Sequence, residues 1–187
     1  MNKKDILRYL RTNTQTEDAA ILALVDEAAD AVSSTAEPKT IYRIFPCEVA
    51  ADGVTVANHF FKSARLAETV KGCRRIVIFG ATLGIQTDRL IQSALATDTA
   101  RAMAYQAAAA AAIEEVCDQL EESVKATHGV RLRRRYSPGY FDLEITEQRS
   151  LFQLIDITKR IGLTLTDTCE MVPTKSVTAL IGIEDDE

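Results

Sequence analysis

With 187 residues, 47% hydrophobic and 26% charged, the chain can bury a sizeable core and has the composition of an ordinary soluble globular protein. Its formal net charge of −5 argues against a general nucleic-acid binder, and no apolar run approaches the roughly 18 residues that a membrane-spanning helix needs. Met1-Asn2-Lys3-Lys4-Asp5 leads straight into a mixed amphipathic segment without the apolar stretch of a secretory signal, so a cytoplasmic protein is expected.

Residues 5–11 and 17–33 read as two helices. Thr16 is the expected cap of the second, Glu17 and Asp18 suit its first turn, and Ile21, Leu22, Val25, Ala28, Ala29 and Val32 form its apolar stripe. Ile41 to Phe45 reads as a strand stopped by Pro46, and residues 54–60 extend or pair with it through a turn at Asp52-Gly53. A helix is expected over 62–71, then a buried strand at Ile76-Val77-Ile78-Phe79. Gly80-Ala81-Thr82-Leu83-Gly84 would turn the chain into a helix carrying Leu90, Ile91 and Leu95. Asp98 is placed to cap a long helix over about 99–127, with apolar positions Met103, Ala107, Ala110, Ile113, Val116, Leu120 and Val124 and a stop at Gly129. The run Ala107 to Ala112 marks it as a buried packing helix. Thr146 is expected to cap a further helix carrying Leu151, Phe152, Leu154, Ile155 and Ile161, ended by Gly162. Residues 176–183 alternate as a terminal strand. The mixture is α+β, with helices packed on a small sheet in one domain over 1–187, the helices within 1–35 forming an appended subregion.

Most familiar chemistries find no support. Cys47, Cys73, Cys117 and Cys169 are scattered and read as small buried hydrophobes. With only His59 and His128 beside them, no structural metal is expected. The glycines at 80 and 84 are spaced Gly-x-x-x-Gly, not as the dinucleotide fingerprint, and no second strand follows soon after, which disfavours a Rossmann methyltransferase. No nucleophile elbow or triad is visible. Glu114/Glu115 and Glu121/Glu122 read as a solvated helix face.

The segment from Arg131 to Tyr140 is different. Arg131, Arg133 and Arg135 alternate, so in a strand they share one face, with Leu132 and Arg134 on the other; an edge strand could use such charges against aggregation. Pro138-Gly139 presets a tight type II turn, since proline fixes φ near −65° and glycine accepts the positive φ that follows. The turn holds Arg135 and Tyr140 on either side of it. A guanidinium, turned backbone amides and a phenol suit a small carboxylate-bearing ligand and an aromatic face for something flat.

Arg135-x-x-x-Gly139-Tyr140, with Pro138 before the glycine, resembles the S-adenosylmethionine-binding motif of the activation domain of cobalamin-dependent methionine synthase. Thr146-Glu147 falls where that family starts its next helix. Ile161-Gly162-Leu163-Thr164-Leu165-Thr166-Asp167-Thr168 and Met171-Val172-Pro173-Thr174-Lys175-Ser176-Val177 are similar to its ending. Ala81-Thr82-Leu83-Gly84 and the Ala-rich helix after Asp98 resemble shortened, stand-alone members. The resemblance implies a mainly antiparallel sheet and a module that docks on a separate cobalamin-binding methionine synthase or related corrinoid protein. There it would support S-adenosylmethionine-dependent reductive methylation of cob(II)alamin, with an electron from a flavodoxin-type or ferredoxin-type donor. It implies that Arg135 binds the methionine carboxylate, that the backbone at Ser137 and Gly139 holds the same ligand, and that Tyr140 sits near the sulfonium or the cobalamin, which the partner carries. The alternative is a non-catalytic binding module for a corrinoid protein that does not use S-adenosylmethionine. The chain departs from the family in reading Phe141-Asp142-Leu143-Glu144 where Pro-Ala-Cys-Pro follows the Gly-Tyr, and in having no Trp.

Overall fold

The computed structural model describes residues 1–184; the last three residues of the expected domain over 1–187 lie outside the described residues. In chain order the elements are α1 (Lys3–Tyr9), α2 (Ala19–Thr35), β1 (Lys39–Val49), β2 (Gly53–Val56), β3 (His59–Lys62), α3 (Ala64–Thr69), β4 (Arg75–Thr82), α4 (Ile85–Leu95) and α5 (Thr99–His128). The rest comprises β5 (Arg131–Leu132), a 3-10 turn (Ile145–Glu147), α6 (Gln148–Leu154), α7 (Ile157–Ile161), β6 (Thr164–Leu165), β7 (Met171–Val172) and β8 (Ser176–Glu184). Six strands form one sheet in the order β3-β2-β1-β4-β8-β5, and every pairing is antiparallel. This is the α+β arrangement expected, and among the described residues there is no parallel crossover of the Rossmann kind.

The central strands are buried on both faces, which is why Ile76 to Phe79 reads as a continuous apolar run. Alternation sorts their side chains. Val77, Phe79, Ala81, Ala179, Ile181 and Ile183 face a core completed by α1, α2, α4 and α5. Ile76, Ile78 and Leu180 face a second core with α3, α6 and α7. In α5, Ala107, Ala108, Ala109, Ala111 and Ala112 are buried, as a helix pressed between sheet and outer helices requires. Asp98 caps it by accepting from the Arg101 amide, and Gly129 ends it in the left-handed conformation at φ 62°.

Several boundaries differ from expectation, each for a local reason. Asp18, not Thr16, caps α2, accepting from the amides of Ala20 and Ile21. β1 runs through Pro46. The Cys47 amide donates to Arg74 O at 2.9 Å, so the preceding residue turns its nitrogen away from β4, and β2 begins to pair only at Cys47. The missing N–H of Pro46 therefore faces an open edge. The span 54–60 is two strands joined at Ala57, whose φ is 53°. Gly80 to Thr82 continue β4, leaving only Leu83-Gly84 as the turn. Met103 points outward at 57% exposure, because Ala102, Ala104 and Tyr105 face the interior there. The helix expected from Thr146 starts at Gln148 and breaks at Asp156 (φ 52°) before resuming to Gly162.

Cys73, Cys117 and Cys169 are buried, while Cys47 is half-buried. Burial pushes the Cys117 thiol up to about 12, against the opposing effect of Arg135, so it stays protonated and unreactive at neutral pH. Gly182 lies on central strand β8, where a Cβ would come within 2.7 Å of Cys73 Sγ and 3.0 Å of Val70 Cγ1. Gly182→Ala is expected to lower stability by about 1–3 kcal/mol through overpacking, read as a fall in the urea unfolding midpoint. An unchanged midpoint would mean that Val70 and Cys73 yield freely.

Candidate ligand-binding site

The segment after α5 is strapped to β8 beyond its two-residue strand. Arg133 N donates to Gly182 O at 2.8 Å, and Tyr136 and Leu180 exchange backbone bonds at 2.9 and 2.8 Å. At Ser137 the strap ends in the expected turn. Tyr140 N donates to Ser137 O at 3.3 Å, Pro138 takes the second position, and Gly139 takes the third with φ 88°. Two further bonds close the loop: Gly139 N to Leu143 O at 2.8 Å and Leu143 N to Tyr140 O at 3.1 Å. Leu143 is buried, whereas Tyr140 and Phe141 stand out at 63% and 81% exposure.

Asp142 ties this loop to α3. Its carboxylate accepts from Ser63 Oγ at 2.5 Å, from the Arg65 amide at 3.2 Å and from Tyr136 Oη at 3.2 Å. Ser63 in turn caps α3 through the Leu66 amide. The Ser63 hydroxyl, more than any other group, holds the Asp142 carboxyl below the usual carboxylate range. A depressed folded-state value means that the unfolded chain takes up the proton first. The stabilisation is therefore complete above about pH 4, the unfolded value, and is lost as pH falls through the lower folded value. Asp142→Asn is expected to flatten this part of the acid limb when unfolding midpoints are compared from pH 6 to pH 3. An acid limb identical to that of the unaltered protein would remove Asp142 from this role.

Arg135 is the most heavily engaged cation of the site. Its Nη1 donates to Asp118 at 2.7 Å and to Glu121 at 2.5 Å, and its Nη2 donates to Glu114 at 2.5 Å. Burial works against its charge, but the hydrogen bonds to Asp118, Glu121 and Glu114 outweigh it and raise its pKa above the usual value. The three acids occupy positions i, i+4 and i+7 of α5 and so lie on one face. Reading Glu114 and Glu121 as a solvated face is thereby corrected: Glu121 is only 16% exposed and both grip Arg135.

These parts meet in one open cleft of about 720 Å³, within the range usual for small-molecule sites. Arg135, Ser137 and Tyr140 line it, and Gly139 forms the corner of the turn beside them. Met171, Ser176, Val177 and Thr178 line it as well, so both halves of the motif-bearing C-terminal region contribute. Arg65 sits over the Phe141 ring at 5.6 Å, and Gln148 accepts from Thr178 Oγ1 at 3.1 Å. Sequence reasoning did not single out Gln148, Thr178, Arg65 or Asp142; each acts through tertiary contact and carries no local signature. The α5 acids did carry one, in their spacing. The Leu83-Gly84 turn is not part of the lining.

Residues 128–186 match the family model of the vitamin B12 dependent methionine synthase activation domain. Among solved structures, the MetH reactivation domain bound to AdoHcy is similar with a TM-score of 0.70, covering 96% of this chain and 70% of that chain at 18% identity. The family match covers about the last third of the chain, and the structural likeness extends the same fold over nearly all of it. A comparison with curated proteins finds no match. At 18% identity the structural likeness concerns the activation-domain fold, whose helices pack on a mainly antiparallel sheet. Where this chain departs from the family after Tyr140, Phe141 and Asp142 give the loop a different anchor: a ring stacked near Tyr136 at 6.3 Å and a carboxylate on α3. Among the described residues no group of His, Cys, Asp and Glu could hold a metal, and no helix is long and apolar enough to cross a membrane.

Proposed function

We propose that this chain, acting as one unit in the cytoplasm, binds S-adenosylmethionine in the cleft and docks on a separate cobalamin-dependent methionine synthase to support reductive methylation of cob(II)alamin. The electron would come from a flavodoxin-type or ferredoxin-type donor. The observation that carries the reading is the closed Ser137–Tyr140 turn, which sets Arg135 and an exposed tyrosine ring on the wall of one ligand-sized cleft. S-adenosylmethionine would supply the methyl group and the partner's cobalamin the reactive metal, so the chain's task is position.

The residues present fit that task. Gly139 adopts the positive φ that closes the turn, and the bonds to Leu143 O and Ser137 O fix the turn backbone beside the cleft. Arg135 engages the methionine carboxylate with N–H groups that α5 leaves uncommitted. Ser137 and Gly139 hold the ligand through the backbone. Tyr140 offers an electron-rich face to the sulfonium and an exposed surface for a corrin.

One observation favours a second reading, a non-catalytic module that binds a corrinoid protein without S-adenosylmethionine: the Arg135 guanidinium is already held by three carboxylates. Calorimetry separates the two. S-adenosylmethionine titrated into the protein is expected to bind saturably, and about fivefold more weakly to Tyr140→Ala, the size of an exposed cation–π contact. No heat of binding at millimolar ligand would favour the second reading.

A further inference from the structure

Arg135 sits in a run of four cations, and three of them are occupied. Arg131 and Arg133 both reach Glu184, at 3.3 and 3.1 Å. Arg135 is shared among Glu114, Asp118 and Glu121. Arg134 is exposed, and among the described residues it makes no ion pair or hydrogen bond. It nevertheless lines the same cleft as Arg135, Ser137 and Tyr140.

The charge balance gives this difference a consequence. Arg135 and its three carboxylates sum to −2 (one positive, three negative), so an incoming carboxylate meets a net negative wall there. Arg65, the other cation of the lining, is paired with Glu68 at 2.9 Å. Arg134 is the cation of the cleft with its whole guanidinium uncommitted, and that group matches a carboxylate with two parallel N–H donors.

We infer that Arg134 is a ligand-binding residue: it supplies the positive charge that receives the carboxylate of the amino-acid moiety, while Arg135, held in place by the carboxylates of α5, contributes direction. The inference rests on the proposed binding of S-adenosylmethionine and adds to it a residue that the Arg135-x-x-x-Gly139-Tyr140 motif does not contain.

The test compares S-adenosylmethionine with its decarboxylated analogue, titrated calorimetrically into the unaltered protein, Arg134→Gln and Arg134→Lys. The unaltered protein is expected to prefer the carboxylate-bearing ligand by about tenfold, the scale of one charge-assisted contact. In Arg134→Gln most of that preference should be lost, with binding of the decarboxylated analogue unchanged, and Arg134→Lys should restore part of it. A preference undiminished in Arg134→Gln would overturn the assignment and leave Arg135 as the receptor. If the unaltered protein bound neither ligand, the proposed function itself would fall, and the assignment with it.

Discussion

Gly139→Val is expected to remove most S-adenosylmethionine binding, a loss of at least tenfold, and to lower the melting temperature by several degrees. Gly139 holds φ 88°, a conformation that costs an L-residue about 1–2 kcal/mol and a β-branched one more. A Cβ there would also lie 3.0 Å from Ile145 Cδ1. That atom ends a flexible, partly exposed side chain and can give way, so the backbone decides the outcome. To relieve the strain the chain would open the turn, breaking Gly139 N to Leu143 O and displacing Tyr140 from the cleft. Gly139→Ala should show the same losses on a smaller scale. Calorimetry and a thermal melt on the same preparations measure both, and unaltered affinity in Gly139→Val would show that the turn does not position the ligand.

Arg135→Met should be costly in a different way. The substitution keeps the apolar stem but leaves Glu114, Asp118 and Glu121 side by side on α5 without their cation. Removing one partner of a fully buried ion pair costs about 3–5 kcal/mol; here Asp118 is exposed and Glu114 half-buried, which brings the expectation to about 2 kcal/mol. The diagnosis lies in the rescue. If the loss is uncompensated negative charge, Arg135→Met combined with Glu121→Gln should recover part of it, since Glu121 is the least exposed of the three. Urea unfolding of the two single variants and the double variant measures the coupling, and a strictly additive double variant would contradict the cage.

Much of the fold could be read from local signals because those signals agreed with the tertiary structure. Asp98, Gly129 and Gly162 mark helix ends by conformations that the residues themselves favour, and Pro138-Gly139 writes its turn into two positions. The failures lie where a partner element overrides the local preference. Pro46 is tolerated inside β1 only because β2 stops pairing one residue away, and Asp156 breaks an otherwise helical pattern in a left-handed conformation. At the site, Arg135, Ser137 and Tyr140 all line the cleft. The surroundings of Arg135 were not legible in the same way. Its three carboxylates come from a helix 14 to 21 residues earlier in the chain, and only the packing of α5 against the strap brings them to the guanidinium. Asp142 was seen in the sequence only as a departure from the family pattern, whereas in the structure it anchors the loop to α3.

Reactivation in trans is the decisive measurement for this protein. A cobalamin-dependent methionine synthase lacking its own activation domain, oxidised to the inactive cob(II)alamin form, would be mixed with this protein, a reduced flavodoxin and S-adenosylmethionine, and methionine formation followed. Turnover is expected to return only when protein, electron donor and S-adenosylmethionine are all present, and Gly139→Val is expected to fail to restore it. Equal recovery without S-adenosylmethionine, or with the Gly139→Val protein, would contradict it.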